Sequence, residues 1–278
     1  MSSSRAGITL LALWAAPLAH LVLAAGPDDK EAGRLRVAVY TDYAPFSDHD
    51  QGIDVDVGAA LAGKLGLAVE VVSFKDADDV QGDLRNILWK GHYLWHGRLA
   101  DVMMHVPVDE RLAKQVEQVR IFAPYFRQRI VVARNRNRIP QLVTLQVFAS
   151  EKIGVQFDTL EDHYLMTSFG GILRENVVHF ATIPQAMEAL RKNEVAAVIG
   201  RQTLIEAGLQ GGQGSFEVGP VAMPGIGLAG WNIGLAVKAD RPELATAVEQ
   251  AMAELLKDGT IERIFTKRGL TYLPPAAH

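Results

Sequence analysis

The strongest constraint on the fold is an alternation of short apolar runs with segments of helical periodicity. Residues 35–40 form a brief apolar run that contains two valines, which predicts a buried strand. Apolar residues then recur at helical spacing over 53–65, and Gly66 marks the end of that helix. The segment 67–74 alternates like a second strand. A strand, a helix and a strand in this order are typical of a βαβ unit in a parallel sheet.

The same alternation returns in the second half of the chain. Strands are predicted at 152–156, 195–200 and 232–238, and a helix at 184–192 lies between the first two. A last helix is predicted over 244–265, with a break at residues 258 and 259. A chain of 278 residues is long enough for two such series with separate cores. The sequence therefore predicts an α/β protein with two lobes and a small-molecule site in the cleft between them.

Composition and missing motifs exclude several functions. The chain has no cysteine, so it carries no disulfide, no thiolate metal site and no cysteine nucleophile. Its formal net charge of -4 offers no basic face for a nucleic acid. The sequence has no P-loop, no Gly-x-Ser-x-Gly elbow and no His-Glu-x-x-His helix motif. We therefore predict a protein that is not an enzyme, has no cofactor or metal, and does not bind nucleic acid.

The N-terminus has the layout of a secretory signal peptide. Arg5 precedes an apolar run over 7–23, and small residues at 24–26 lead into a polar segment. An uncleaved membrane anchor is the alternative, although the run is short for a span and is broken by Pro17. We predict residues 1–25 as a signal peptide and a periplasmic mature protein that is not inserted in the membrane.

Several short pieces have a fixed order along the chain. They are Tyr-Ala-Pro-Phe at 43–46, Gly-Ile-Asp-Val-Asp at 52–56, Ala-Asp-Val at 100–102, Ala-Pro-Tyr-Phe at 123–126, Ile-Gly-Val-Gln at 153–156, the helix holding 186–190, and Lys-Asp-Gly-Thr at 257–260. Together they resemble the bacterial extracellular solute-binding proteins of the polar-amino-acid type, called family 3. The resemblance runs from about residue 35 to residue 269.

This resemblance implies an α/β fold of the periplasmic binding protein-like type II class, with two βα lobes joined by a two-strand hinge. Lobe one would contain 34–128 plus 233–273, and lobe two would contain 129–232. The two chain crossings would lie near 127–129 and 231–234. In this family a ligand binds between the lobes, which close on it through contacts that are better in the closed state.

The resemblance also implies ligand-binding residues in lobe one. Tyr43 matches an aromatic residue that covers the ligand, and Phe46 belongs to the same turn; a rim or core aromatic is the alternative reading of Tyr43. Arg111 resembles an arginine that binds a ligand carboxylate through its planar fork. The spacing around Arg111 departs from the family, so a surface arginine on a helix is its alternative.

Three residues of lobe two match the family at a helix N-terminus. Gln156, Asp158 and Thr159 stand where backbone N–H groups hold a ligand carboxylate. A plain helix cap is the alternative for this segment.

The sharpest departure from the family lies at Arg201. The amino-acid binders have an aspartate there, which pairs with the ligand ammonium group. An arginine cannot accept a hydrogen bond and repels an ammonium group. We therefore expect Arg201 to contact an anionic or neutral group, and the ligand to differ from an ordinary α-amino acid.

The segment 86–98 brings Trp89, Tyr93 and Trp95 close together in the sequence. Packing is one reading of these aromatics, and a docking site for a protein partner is the other. With the following 100–109, this segment resembles a subgroup associated with periplasmic PQQ-dependent alcohol dehydrogenases, their c-type cytochromes and methanol oxidation.

Two functions follow from these resemblances. The leading hypothesis is a non-catalytic periplasmic protein that captures a small polar or anionic solute, for an ABC-type permease. The alternative is an accessory protein on the same fold that docks a quinoprotein dehydrogenase and cytochrome c system.

Overall fold

The computed structural model describes residues 33–77, 79–91, 99–210, 215–226 and 230–277. The strands are β1 (Arg34–Tyr40), β2 (Ala68–Phe74), β3 (Val102–Pro107), β4 (Val119–Asn135), β5 (Ile153–Gln156), β6 (Val177–Phe180), β7 (Ala197–Arg201), β8 (Phe216–Pro220) and β9 (Gly230–Lys238). The α-helices are α1 (Ile53–Lys64), α2 (Val80–Leu84), α3 (Glu110–Gln115), α4 (Leu160–Thr167), α5 (Ile183–Arg191), α6 (Gln202–Leu209), α7 (Pro242–Lys257) and α8 (Thr260–Lys267). The predicted signal peptide, 1–25, lies outside the described residues.

The N-terminal half of the sheet is built as the sequence pattern predicts. β1 pairs in parallel with β2 on one side and with β3 on the other. α1 crosses between β1 and β2, with Ile53, Val57 and Leu61 fully buried along one stripe. Helix α2 continues directly as a π-helical turn, Arg85–Trp89.

The second half has its own parallel strands. β5 pairs with β6 and with β7, and helices α4, α5 and α6 connect or follow these strands. Thr159 caps α4 and Thr182 caps α5, each by accepting a hydrogen bond from a backbone N–H in the first turn. These caps start each helix directly after its strand.

β4 joins the two halves. It is 17 residues long, pairs with β9 over 119–129, and pairs with β7 and β8 over its second part. The described strands therefore form one connected sheet in the order β2-β1-β3-β9-β4-β7-β5-β6, with β8 on the side of β4. The fold is mixed α/β, and its two halves are connected through the β4–β9 pair.

The cores lie on both faces of this sheet. Alternate residues of β4 point to opposite faces, so Ile130 and Val132 belong to one apolar cluster while Val131 and Ala133 belong to another. The N-terminal half has a separate cluster around Phe74, Leu88 and Met103. The lobe boundaries expected from the resemblance, 34–128 plus 233–273 and 129–232, stay a prediction.

Helices α7 and α8 return the chain to the first half, where both contact α1. Gly259 separates them in the left-handed conformation, with φ of 75°. The predicted break at this position is therefore present. No helix in the described part of the chain is long and apolar enough to cross a lipid bilayer.

Candidate ligand-binding cleft

A tight turn after β1 places the side chain of Tyr43. The backbone N–H of Tyr43 donates to the carbonyl oxygen of Ser47 at 2.7 Å, and that of Phe46 donates to the carbonyl of Tyr43 at 2.9 Å. The ring of Tyr43 stacks on Phe46, with the ring centroids 5.4 Å apart. Phe46 is fully buried and also stacks on Phe126. The turn thus rests on the core, and Tyr43 forms its outer layer.

A buried polar network lies beneath this turn. The carboxylate of Asp54 is fully buried and accepts hydrogen bonds from Tyr125 Oη at 2.5 Å and from His105 Nδ1 at 3.0 Å. Burial, and then the charge of Asp54, raise the pKa of the Tyr125 phenol well above its usual value. The imidazole of His105 packs edge-on against Tyr43 and Phe46. Because Asp54 fixes Nδ1 as a donor, it sets the orientation of the His105 ring.

Arg201 reaches the turn from the other half of the chain. It is the last residue of β7, and its guanidinium donates to Tyr43 Oη at 2.5 Å. The same group lies 6.0 Å from the ring centroid of Trp231. Burial raises the pKa of the Tyr43 phenol, the charge of Arg201 opposes that shift, and the charges of Asp54 and Glu161 add to it. A protonated Tyr43 and a charged Arg201 therefore form a direct contact between the halves.

A cavity of about 340 Å³ opens beside this contact. Its described lining residues are Tyr40, Thr41, Asp42, Tyr43, Asp76, Ala77, Asp79, Val80, Asp83, His105, Pro107, Gln128, Arg201, Trp231 and Ile233. Four of them are aspartates, and Arg201 is the one lysine or arginine among these described residues. The wall contributed by the first half is thus strongly acidic.

Asp83 anchors the acidic wall. Its carboxylate accepts from Tyr40 Oη at 2.8 Å and from the backbone N–H of Ala77 at 2.6 Å. Burial raises the pKa of the Asp83 carboxyl, and it also raises that of the Tyr40 phenol. These bonds tie the loop after β2 to the end of β1, which holds Asp76 and Asp79 at the cavity.

A smaller cavity of about 70 Å³ lies against the second half. Its described lining residues are Tyr43, Gln156, Thr159, Glu161, Ile183, Ile199, Gly200, Arg201 and Leu204. Tyr43 and Arg201 line both cavities, so the two cavities adjoin the same contact.

The structure brings four of the predicted ligand-binding residues together. Tyr43 and Arg201 line both cavities, and Gln156 and Thr159 line the smaller one. Phe46 lines neither, because its ring is fully buried beneath Tyr43.

Two predicted residues lie away from the cavities. Asp158 is exposed, and its carboxylate faces His163 at 3.3 Å. Arg111 is exposed in the first turn of α3, which begins directly after Asp109 caps it. Arg111 is not among the described residues that line either cavity, so its exposed position agrees with the alternative of a surface arginine on a helix.

The predicted docking aromatics are only partly described. Trp89 is half-buried and packs on the apolar cluster of the first half, which agrees with the packing interpretation of this residue. Tyr93 and Trp95 lie outside the described residues.

Sequence reasoning missed several lining residues. His105 is a single histidine within β3, which gives no functional signal of its own. Glu161 has only the ordinary signal of an acidic residue in a first helical turn. Gln128 and Trp231 lie opposite each other on β4 and β9, where the chain crosses between halves. The sequence indicated these two residues only through their position near the two chain crossings that the resemblance predicts.

Comparison with known proteins gives matches at the level of structure alone. No protein-family model and no curated protein matches the sequence. Among solved structures, an ancestral cationic amino acid solute-binding protein is 21% identical, with 84% of this chain and 95% of that chain covered and a TM-score of 0.65. An ancestral amino acid-binding protein described as a precursor of cyclohexadienyl dehydratase is also 21% identical, with 84% and 94% covered and a TM-score of 0.58.

A third match is an amino acid ABC transporter substrate-binding protein from Streptococcus pneumoniae bound to L-arginine. It is 20% identical, with 87% of this chain and 96% of that chain covered and a TM-score of 0.58. At these identities the matches define the fold and nothing finer. The chain therefore has the periplasmic binding protein-like type II fold that these amino acid-binding proteins share.

Proposed function

We propose that the protein is a non-catalytic, periplasmic member of the family 3 solute-binding proteins, which captures a small polar solute and serves an ABC-type transporter. The signal-peptide pattern at 1–25 supports the location, and the fold of the neighbouring binding proteins supports the role. One neighbour is described as the precursor of an enzyme, so the fold alone is compatible with catalysis.

The observation that carries this proposal is the cavity of about 340 Å³ between the halves. Its volume lies in the range of small-molecule sites. Its walls come from the loops after β1 and β2, from the crossing strands and from Arg201 of the second half. A solute bound there would contact both halves at once, as closure around a ligand requires.

Mass spectrometry of solute released from the purified mature protein tests the proposal. We expect the wild type to release a small molecule, and the Arg201→Met variant to carry at least tenfold less, because Arg201 lines both cavities and positions Tyr43. Arg120→Met is the control, since Arg120 forms an exposed pair with Glu249 outside both cavities. Equal amounts of released solute from all three proteins would mean that the solute binds outside the cavities that Arg201 lines, and would contradict the proposal.

The accessory role remains the alternative. It is supported by the resemblance of 86–109 to the subgroup associated with quinoprotein dehydrogenases, while the packing of Trp89 on the core gives it no further support. Affinity purification from a periplasmic extract separates the two: recovery of a dehydrogenase and a c-type cytochrome, with no released solute, would favour the accessory role.

A further inference from the structure

Glu161 is a buried acidic residue that no described residue neutralises. It lies in the first turn of α4, which Thr159 caps, and its exposed fraction is 3%. Among the described residues no group donates a hydrogen bond to its carboxylate or forms an ion pair with it. The carboxylate oxygens are not among the fully buried polar atoms that lack a partner, so they face the smaller cavity, which Glu161 lines. A carboxylate that faces a small cavity without a paired cation favours a ligand group that donates a hydrogen bond to it.

Arg201 does not fill that role. It lines the same small cavity, but its guanidinium donates to Tyr43 Oη and forms no ion pair with Glu161. The two residues therefore present an acidic group and a basic group to one space. A ligand that carries a donor and an acceptor of opposite charge would satisfy both at once.

We propose that Glu161 binds the ammonium group of a small organic ligand, and that Arg201 binds an anionic or polar group of the same ligand. This inference rests on the proposed binding role and names the class of solute.

The larger cavity supports the same class of ligand. Asp42, Asp76 and Asp79 line it together with the anchored Asp83, and Arg201 is the only described lysine or arginine on its wall. The potential of such a wall attracts positive charge and repels a dianion. A ligand that extends from Glu161 into this space would thus be an amine or an amino compound and not a dicarboxylate.

Titration calorimetry on the purified, solute-free mature protein tests the inference. The probes are putrescine, γ-aminobutyrate, L-arginine, L-glutamine and succinate. We expect the wild type to bind at least one amine-bearing probe and to bind succinate more weakly. We expect the Glu161→Gln variant, which keeps the side-chain shape, to bind that amine at least about tenfold more weakly.

Two controls separate this effect from loss of fold. Glu175→Gln changes an exposed glutamate in the turn Arg174–Asn176 and should leave binding unchanged. The melting temperature of the free Glu161→Gln protein should match that of the wild type, because the Glu161 carboxylate faces the smaller cavity and the substitution breaks no ion pair of the described residues.

The outcomes distinguish the two proposals. Unchanged amine binding in the Glu161→Gln variant would overturn the role of Glu161. Binding of succinate alone would overturn the ligand class and leave the binding role intact. A wild type that binds no probe and releases no solute on purification would contradict both the binding role and this inference.

Discussion

The Asp54→Ala variant is expected to unfold with a free energy about 3–5 kcal/mol below that of the wild type, because it breaks a buried charged network. Asp54 is fully buried, and its carboxylate accepts hydrogen bonds from both Tyr125 and His105. Its removal leaves the phenol and the imidazole N–H buried without their acceptor. Urea denaturation, followed by circular dichroism, measures the difference.

Asp56→Ala provides the matched control on the same helix. Asp56 pairs with Arg268, and both side chains are partly exposed. An ion pair of this kind contributes about 1 kcal/mol or less. If the two variants were equally stable, the network around Asp54 would contribute no more than a surface ion pair, and the prediction would be wrong.

The Gly52→Ala variant is expected to lose at least about 3 kcal/mol of unfolding free energy, since it combines backbone strain with a steric clash. Gly52 has φ of 133°, and a Cβ at this position would lie 2.1 Å from the carbonyl oxygen of Phe46. The clash would push the Tyr43–Phe46 turn away from α1. We therefore also expect weaker solute retention in the fraction of Gly52→Ala protein that stays folded.

Gly63→Ala is the control for this substitution. Gly63 is an exposed residue of α1, and a Cβ there would meet no atom within 4 Å. Because alanine favours a helix, this variant should gain about 0.5–1 kcal/mol. Thermal and urea unfolding of both variants give the comparison, and a Gly52→Ala protein as stable as Gly63→Ala would refute the argument.

The local part of the fold could be predicted from the sequence. β1, α1 and β2 follow from apolar periodicity, and the break before α8 follows from Gly259. The length of β4 could not be predicted, because its first part pairs with β9 and its second part with β7 and β8. Such pairing depends on residues far apart in the chain, which periodicity does not report.

The candidate site shows the same limit. Tyr43 and Arg201 were identified through their places in family motifs, and they lie in contact. Arg111 was identified in the same way, yet it is exposed in α3 and lines neither cavity. The sequence did not indicate that Glu161 is buried, because its burial depends on how α4 packs against strands and on the approach of Tyr43 from the other half.

The pairing of β9 with β3 and β4 has a consequence for the order in which the chain folds. During synthesis β1, β2 and β3 emerge first, but the partner that covers β3 on its other side, β9, is made only after the whole second half. The strands β5, β6 and β7 can pair with one another as soon as they are complete. The half that is made later can therefore be the first to finish folding. The half that is made earlier keeps an open sheet edge at β3 until β9, which begins at Gly230 of the 278-residue chain, has been synthesised.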